Sequence, residues 1–552
     1  MFVDQIQKKL QKSLIAAGFK KIAKSLIEVK YPKMKKYGDY SSNIALKIGK
    51  KYKKNPLEIA KILSDNLRRS TVFSKVEAVQ PGFINFYISN NMLRKTLQEI
   101  HEKKNNFGTN TSIGAGKKIL LEFVSANPTG PLNVVNARAA AYGDSLANIF
   151  KKLGYNTEKE YYINDAGHQI DLLVESVEVE LRRLENMQVQ EMEDGYKGEY
   201  VIDIAKDILE SVRGSVFHFS AKKKLFIIQY YALRNILANQ KRALERFNVK
   251  FDNWISEKEL RAKGSVEDVL TYLSETGYTF EKDDAVWVET SKFGDSKDRV
   301  IMKSDGTTTY LVPDLAYHIS KYKRNYHLMI DVLGPDHHGH VSKLKSGLKI
   351  LSYDIKKLNV IILQQVNLLL DEEKVKMSKR AGNVYTLNKL INEVGTDAAR
   401  FFFLMRKTNT PLDFDLDLAK KQSSENPVYY VQYAHARINS LIKMAKSEKL
   451  ILDDFKPEYL KKLKHAEEMD LVRNMMKYPE MIAHIGKTYD VNLMTTYLMD
   501  LASAFHKFYH KRKIINLRYR ELSLARLYLA DVVKIVLANG LGILGIKAPK
   551  KM

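Results

Sequence analysis

Two short segments of the chain bring together residue types that can bind and activate a nucleotide. The first runs Glu122-Phe-Val-Ser-Ala-Asn-Pro-Thr-Gly-Pro-Leu-Asn-Val-Val-Asn-Ala-Arg138, between an apolar run and a helical pattern. A helix that begins here would offer unpaired backbone N–H groups to a phosphate. Glu122 and Asn127 would lie at the carboxyl end of a strand, where open α/β sheets bind ligands. The alternative is an ordinary strand, turn and helix in which proline and glycine shape the turn.

The second segment is basic and runs Val375-Lys-Met-Ser-Lys-Arg-Ala-Gly-Asn383. It packs three cations around a small turn, close to Gly382. Lysines in such a loop can neutralise the charge that grows on a triphosphate in the transition state. The alternative is a solvated basic loop, although Lys-Met-Ser-Lys after an apolar strand is more specific than two spaced lysines.

The sequence around these segments predicts an α/β unit. Lys118–Val124 is apolar and predicts a strand, and a helix follows from about residue 134 to 153. Strand, loop and helix in this order open many nucleotide-binding domains. Apolar runs return at Leu328–Leu333 and Val360–Leu363, each before a polar loop, and they suit parallel strands of the same sheet.

The flanking regions have other periodicities. Apolar residues at helical spacing predict one amphipathic helix over residues 4–28, and alternation over residues 76–88 predicts strands around Pro81-Gly82. Further patterns predict a linker at 105–116, helices over 168–250, a β-hairpin region at 285–311 with a turn at Ser304-Asp305-Gly306, and helices from about Glu425 onward.

Composition and charge narrow the class of protein. The chain has 552 residues, 45% hydrophobic and 28% charged, which is typical of a multidomain globular protein. Because cysteine is absent, disulfides, thiolate metal sites and a cysteine nucleophile are excluded. We expect a cytoplasmic location and no membrane association, since there is neither a signal-peptide pattern nor an apolar run near the ~20 residues of a membrane span.

The positive charge is concentrated at the two ends of the chain. The net charge is +26, of which residues 1–110 carry +15 and residues 421–552 carry +10. Two basic ends around a neutral centre suggest a polyanion that is gripped at both ends, with chemistry between them. The alternative is a general excess of lysine on solvated faces.

The two nucleotide segments together resemble the "HIGH" and "KMSK" signatures of class I aminoacyl-tRNA synthetases, and the wider sequence resembles the arginyl-tRNA synthetase family. Further family-like stretches lie in order along nearly the whole chain: Gly38-Asp39-Tyr40, Pro81 to Phe86, Tyr161 to Gly167, Gly334 to Gly339, Glu425 to Arg437 and Val536 to Leu541. The resemblance is weakest in the helical insertion at about 170–280.

The resemblance implies a multidomain α/β protein with a Rossmann-type parallel-sheet catalytic domain. It places three domains along the chain. Residues 1–110 form a small N-terminal α+β domain, which touches the tRNA D-loop. Residues 111–420 form the catalytic domain and residues 421–552 an all-α anticodon-binding domain. The implied enzyme activates L-arginine with ATP and Mg²⁺ and transfers it to the terminal ribose of tRNA(Arg). We expect it to be a monomer. The magnesium is expected to arrive with the nucleotide, without a metal site of the protein's own.

The family pattern also implies roles for individual residues. Six of them would contact arginine: Glu122, Ser125, Asn127, Tyr310, Asp314 and His337. Asp314 would pair with the guanidinium and Tyr310 would line its pocket, while Glu122, Ser125 and Asn127 would hold the α-amino and carboxylate ends. His337, His338 and His340 could alternatively be read as a metal cluster, but the family match explains them without a metal.

The nucleotide site departs from the family signature. The HIGH-like motif runs from Ala126 to Asn136, and Asn133 and Asn136 replace its two histidines. The residues expected at ATP are Gly130, Pro131, Asn133, Asn136, Met377 and Lys379, with Lys376, Lys379, Asn133 and Asn136 as the catalytic set. An asparagine amide can donate a hydrogen bond to phosphate but cannot become cationic. The alternatives are a slower enzyme, a catalytically inactive paralogue that binds tRNA, and a synthetase for another amino acid.

Contacts with tRNA are expected at both ends of the chain. Phe83 could stack on an unpaired base and Asn85 could read it, although Phe83 could equally pack the small core. In the C-terminal domain the candidates are Tyr429, Tyr433 and Arg437, of which only one or two are expected to reach RNA.

Overall fold

The structure is a computed structural model that describes residues 2–20, 22–371, 373–375 and 385–552. Its N-terminal part is an antiparallel sheet in the order β1-β2-β4-β3, covered by helices. The strands are β1 (Val29–Lys30), β2 (Tyr40–Ser42), β3 (Phe73–Val79) and β4 (Phe83–Ile88). The helices are α1 (Phe2–Ala16), α2 (Ile44–Tyr52), α3 (Pro56–Leu67) and α4 (Asn90–Lys103).

One sequence prediction in this part is wrong. The helix predicted over residues 4–28 ends at Ala16, because Gly18 takes a left-handed backbone with φ +82°. Leu26, which the helical spacing assigned to the same apolar face, is 46% exposed in a short 3₁₀ turn. The strands predicted around Pro81-Gly82 are confirmed as β3 and β4.

The central part is built on a parallel sheet of five described strands in the order β12-β11-β5-β6-β7. The strands of this part are β5 (Lys118–Phe123), β6 (Asn156–Ile163), β7 (Asn253–Ser256), β8 (Thr279–Lys282), β9 (Ala285–Val288), β10 (Arg299–Met302), β11 (Leu328–Leu333), β12 (Leu358–Ile362), β13 (Val366–Leu370), β14 (Glu373–Lys374) and β15 (Leu412–Asp415). The predicted parallel strands at 328–333 and near 360 are therefore confirmed.

The helices of the central part cover the sheet and form the insertion. They are α5 (Thr111–Gly114), α6 (Val134–Lys152), α7 (His168–Leu184), α8 (Glu199–Val212), α9 (Ala221–Arg246), α10 (Glu257–Ala262), α11 (Ser265–Glu275), α12 (Leu311–Lys323), α13 (His338–Ile350), α14 (Leu387–Leu404) and α15 (Leu416–Lys420). Helices α7, α8 and α9 share an apolar core of their own, as the helical pattern over 168–250 predicted. The hairpin region becomes an antiparallel sheet, β10-β9-β8.

The C-terminal part is helical throughout its described length. Its α-helices are α16 (Pro427–Ser447), α17 (Ala466–Met476), α18 (Tyr478–Thr488), α19 (Asn492–Lys511) and α20 (Arg520–Ile543). Along the described chain, no helix combines the length and the apolar character that a membrane crossing requires.

A single buried guanidinium joins the central and C-terminal parts. Arg400 on α14 is fully buried and donates hydrogen bonds to Asp144 on α6 at 2.8 Å, to the carbonyl of Phe247 at 2.9 Å and to the carbonyl of Leu544 at 2.7 Å. Gly545 makes room for it, since a Cβ atom there would lie 2.4 Å from the guanidinium. The far end of α20 is thereby fixed to the helix that follows β5.

A second buried arginine fixes the helix that opens the signature segment. Arg138 on α6 donates to three backbone carbonyls, those of Gln364 at 2.7 Å, Lys407 at 2.9 Å and Thr410 at 3.1 Å. Burial lowers the pKa of Arg138 to about 10, but the group stays charged at neutral pH. Arg138 thus ties α6 to the connection that precedes β13 and to the one that precedes β15.

Candidate active site at the carboxyl edge of the parallel sheet

The chain leaves β5 through a strained turn. Val124 and Ser125 both take left-handed backbones, with φ +73° and +36°, and for a β-branched residue such as valine this is a genuine outlier. Strain of this kind persists where the surrounding structure fixes it. Here the Ser125 hydroxyl donates to Glu122 Oε1 at 2.8 Å and accepts from the N–H of Tyr162 at 3.1 Å. The turn is therefore anchored to both β5 and β6.

The loop after this turn is held by side chains that the sequence did not single out. Gln240 on α9 is fully buried and its amide donates to the carbonyl of Gly130 at 2.9 Å. The hydroxyl of Tyr161 donates to Gln240 Oε1 at 2.9 Å and accepts from the N–H of Ala126 at 3.1 Å. Tyr200 on α8 donates to the carbonyl of Thr129 at 2.9 Å. Side chains of the helical insertion thus hold the signature loop in place through hydrogen bonds to its backbone.

Asn133 and Asn136 cap the N-terminus of α6 reciprocally. Asn133 Oδ1 accepts from the N–H groups of Val135 at 3.0 Å and Asn136 at 3.1 Å, and Asn136 Oδ1 accepts from the N–H of Asn133 at 3.0 Å. This capping box stabilises the helix start. Both amide oxygens are occupied, whereas neither amide nitrogen has an acceptor among the described residues. These N–H groups can donate to an anion at the helix N-terminus.

Lys376, Met377 and Lys379 lie outside the described residues. The chain that follows them is close to the signature loop, because Thr386 forms an antiparallel bridge with Asn133. The N–H of Leu387 donates to the carbonyl of Leu132 at 2.8 Å. The described chain downstream of the lysine segment therefore meets the N-terminus of α6.

Three buried carboxylates form a row across the adjacent strands β11, β5 and β6. In the strand register Asp331 lies opposite Glu122, and Glu122 lies opposite Glu160. All three residues are at most 5% exposed. Buried carboxylates are costly unless they are paired with cations and hydrogen-bonded, so this row requires cationic partners nearby.

The cations come from α12 and the residue just beyond it. Lys321 is fully buried, contacts the Glu122 carboxylate and lies 2.7 Å from Asp331 Oδ1. Arg324 contacts Glu160, with its Nη2 2.8 Å from Oε1. Burial opposes the charge of Lys321, but Asp331 and Glu122 raise its pKa above the ordinary value.

The cations near Glu122 and Asp331 are unevenly placed, since Lys321 contacts both carboxylates and His318 contacts that of Asp331. Glu122, Asp331 and Lys321 together carry two carboxylates and one ammonium. Although burial opposes it, the attraction of Lys321 and His318 holds the pKa of Asp331 below its ordinary range. Burial raises the pKa of Glu122, and Lys321 offsets this only in part. A cationic ligand beside Glu122 would therefore be stabilised.

Asp314 continues the charged face of α12 toward the open edge of the sheet. It shares that face with His318 and Lys321, at helical spacing, and the carbonyl of Asp314 lies 2.7 Å from Nδ1 of His318. Nε2 of His318 lies 2.8 Å from Asp331 Oδ2. The Asp314 carboxylate itself contacts His340, with Oδ2 2.6 Å from Nε2.

The structure brings most of the predicted arginine-contacting residues to this edge of the sheet. Glu122 and Ser125 are hydrogen-bonded to each other, whereas Asn127 donates to Gln169 at 2.6 Å. Tyr310 precedes α12 and is 71% exposed. His337 packs its ring edge-to-face on His340, with 5.9 Å between ring centroids.

The histidine cluster has other neighbours. His338 lies with its Nε2 3.4 Å from the amide nitrogen of Gln364, away from the His337–His340 pair. Among the described residues, no group of three or more His, Cys, Asp or Glu side chains is arranged to hold a metal ion.

The two candidate RNA-contacting residues on β4 differ in exposure. Phe83 is 38% exposed and Asn85 is 3% exposed. A stacking contact with an unpaired base needs an open ring face, which Phe83 has. Asn85 is buried, and in the strand register it lies between Ser41 of β2 and Glu77 of β3.

The candidates on α16 form a ladder of rings with one guanidinium. Tyr429 and Tyr433 stack with 6.1 Å between centroids, and Tyr433 stacks on His506 of α19 at 5.9 Å. Arg437 donates to the Tyr433 hydroxyl at 2.8 Å and lies over the ring of Tyr509. Burial and Arg437 lower the pKa of His506 to about 4, so the ladder holds a neutral imidazole at pH 7.

Comparison with known proteins agrees with this architecture. Residues 4–88 match the arginyl tRNA synthetase N terminal domain, residues 96–442 the class I (R) tRNA synthetase catalytic domain and residues 431–552 the DALR anticodon binding domain. The chain is 40% identical over 558 residues to arginine–tRNA ligase 1 of Halalkalibacterium halodurans and 41% identical over 552 residues to arginine–tRNA ligase of Thermotoga maritima. Both alignments cover 100% of each chain.

A solved structure shares the same fold. Thermus thermophilus arginyl-tRNA synthetase superposes with a TM-score of 0.76 at 19% identity, covering 100% of both chains. The parallel sheet, the capped helix after β5 and the helical C-terminal part define a class I aminoacyl-tRNA synthetase. Within this class, the chain belongs to the arginyl-tRNA synthetase family.

Proposed function

We propose that the chain joins arginine to tRNA(Arg) in two steps at the carboxyl edge of its parallel sheet. Arginine attacks the α-phosphate of ATP, which gives arginyl-adenylate and pyrophosphate. The terminal ribose hydroxyl of tRNA then takes the arginyl group and releases AMP. The observation that carries the proposal is the buried carboxylate row, in which Glu122, at the end of β5, shares its Lys321 counterion with Asp331.

The arginine would lie with its two cationic ends on two carboxylates. A guanidinium is planar and permanently charged, and it pairs best with a carboxylate in fixed geometry. Asp314 is fixed by His340 and is 29% exposed at its side chain, so a ligand can reach it. Glu122 would receive the α-ammonium group, with Ser125 and Asn127 nearby and Tyr310 and His337 along the pocket wall.

The ATP would lie over the N-terminus of α6. The backbone N–H groups there support binding of the phosphates, as do the amide N–H groups of Asn133 and Asn136, which have no acceptor among the described residues. Gly130 and Pro131 supply the loop beneath the nucleotide, and Met377 would border it. Lys376 and Lys379 would neutralise the departing pyrophosphate.

Magnesium would enter with the nucleotide. Mg²⁺ is usually held by substrate phosphates together with one or two carboxylates and several waters. Its chemistry here would be to neutralise phosphate oxygens. The residues of this chain would hold the phosphates from the protein side, through the helix N-terminus and the two lysines.

The two basic ends would hold the tRNA. Phe83 and Asn85 are the proposed D-loop contacts, and Tyr429, Tyr433 and Arg437 the proposed anticodon contacts. One chain would suffice for both ends, because the N-terminal part packs on the C-terminal helices through ion pairs such as Asp39–Arg473 at 2.8 Å. We infer that the protein acts as a monomer in the cytoplasm, where translation consumes its product.

The direct test is charging of purified tRNA(Arg) with labelled arginine in the presence of ATP and Mg²⁺. We expect charging with arginine and none with lysine or glutamine, because only a guanidinium matches the Asp314 pocket. Charging with another amino acid would make this a synthetase of different specificity. Binding of tRNA without arginine-dependent pyrophosphate exchange would show an inactive paralogue.

A further inference from the structure

The Asp314 carboxylate is held at one oxygen by a histidine of the neighbouring helix. Nε2 of His340 lies 2.6 Å from Oδ2 of Asp314. The His340 side chain is 15% exposed and that of Asp314 is 29% exposed. The more buried partner of the two is therefore the histidine, and the more open one is the carboxylate.

His340 is itself fixed in place. It lies in the first turn of α13, which begins at His338 directly after the loop that leaves β11. Its ring meets the ring of His337 edge-to-face, at an interplanar angle of 83°. Among the described residues, no side chain contacts Oδ1 of Asp314. Within the described chain, one oxygen of this carboxylate is thus held and the other has no side-chain partner.

We propose that His340 is a positioning residue of the arginine pocket, which holds one oxygen of Asp314 and presents the other to the substrate guanidinium. This rests on the proposed function, in which Asp314 binds that group. A guanidinium hydrogen bond is directional, and its strength depends on the acceptor being oriented before the ligand arrives. His340 contributes this orientation without contacting a reacting atom.

Two variants test the contact. His340→Gln keeps an N–H donor near the position of Nε2, whereas His340→Ala removes the contact. At pH 8 we expect His340→Ala to raise the KM for arginine about tenfold with kcat within about twofold, which corresponds to ~1.4 kcal/mol. His340→Gln should stay within about threefold of the parent KM, as expected when a donor is retained.

A matched control supplies the second readout. His338→Gln should keep the parent KM and kcat, since His338 contacts Gln364 and not Asp314. Thermal unfolding of each variant checks folding, and if His340→Ala does not fold, His340→Leu, which keeps the bulk but has no donor, takes its place.

The outcomes separate two failures. If the parent enzyme charges tRNA(Arg) and His340→Ala keeps the parent KM for arginine, the positioning role is wrong and the proposed function stands. If the parent does not charge tRNA(Arg) with arginine, the proposed function itself fails. A His340→Gln variant as impaired as His340→Ala would show that a retained donor does not orient Asp314 and would overturn the positioning role.

Discussion

The amino-acid side and the nucleotide side of the site are built in different ways. The amino-acid side is a network of buried charges, in which Glu122, Asp331 and Glu160 are braced by cations from α12. The nucleotide side, over its described residues, is made of backbone N–H groups and the two asparagines that cap α6. In the proposed function the small cation would thus meet a charged, buried network, whereas the phosphates would meet neutral donors among the described residues, with cations expected from Lys376 and Lys379.

The difference between the two sides indicates which protein charges are needed before a substrate binds and which are needed during the reaction. Arginine carries its charge permanently, so counter-charges fixed in advance favour its binding. The pyrophosphate gains charge only as the bond breaks, so cations matter most in the transition state. The comparison therefore predicts that variants on the two sides change different kinetic constants.

The largest effect is expected from Lys379→Ala. Loss of a cation at the leaving group should lower kcat by about 100- to 1,000-fold with little change in the KM for arginine. Pyrophosphate exchange in the presence of tRNA measures it. Lys374→Ala, in the exposed strand β14, is the control and should behave as the parent. A loss confined to the KM for arginine would contradict the division of roles.

Asp314→Asn should instead change the KM for arginine. Replacing a carboxylate that pairs with a cation costs about 3 kcal/mol, so the KM for arginine should rise about 100-fold while kcat changes far less. Charging assays over a range of arginine concentrations measure this. Asp336→Asn, at an exposed position three residues beyond the end of β11, is the matched control. An unchanged KM would remove Asp314 from the pocket.

Asn133→Asp separates helix capping from phosphate binding. Aspartate caps helices as well as asparagine, so the melting temperature should hold, but its negative charge should raise the KM for ATP about tenfold through repulsion of the phosphates. Asn133→Ala should instead lower the free energy of unfolding by about 1 kcal/mol. If both variants keep the parent KM for ATP, Asn133 caps the helix and does nothing more.

The smallest effect is expected from Gln240→Leu. It leaves the carbonyl of Gly130 without its buried donor, which should lower the free energy of unfolding by about 1–3 kcal/mol and reduce kcat a few-fold through a displaced loop. Urea unfolding and charging rates measure the two effects. Asn239→Ala, the exposed neighbour on α9, should change neither. A stable Gln240→Leu variant with parent kcat would show that the insertion does not shape the loop.

The sequence predicted the elements that carry local patterns. The apolar run at Lys118–Val124 and the helical spacing after residue 134 identified β5 and α6, because period and length suffice for such elements. The helix over 4–28 was wrong because one left-handed glycine at position 18 ended it, and apolar spacing continues on either side of such a break.

The charged network could not be predicted from the sequence alone. Glu122, Glu160 and Asp331 are far apart in the chain and become neighbours only through the strand order β11-β5-β6 and its register. A signal existed, since Asp331 interrupts an otherwise apolar strand, Leu-Met-Ile-Asp-Val-Leu. No comparable sequence signal indicated that Gln240 is buried, because a glutamine on a long polar helix is expected to be exposed to solvent.

Arg400 has a consequence for how the helical C-terminal part is placed relative to the parallel sheet. It ties the helix of the signature loop to the end of α20 through Asp144 and the carbonyl of Leu544. Two further hydrogen bonds from α6, those of Tyr142 to the carbonyl of Tyr489 and of Asn148 to the carbonyl of Ile543, join the same two parts. Because a Cβ atom at position 545 would lie 2.4 Å from the guanidinium, even an alanine there would force Arg400 to move and would loosen the tie between α6 and the anticodon-binding domain.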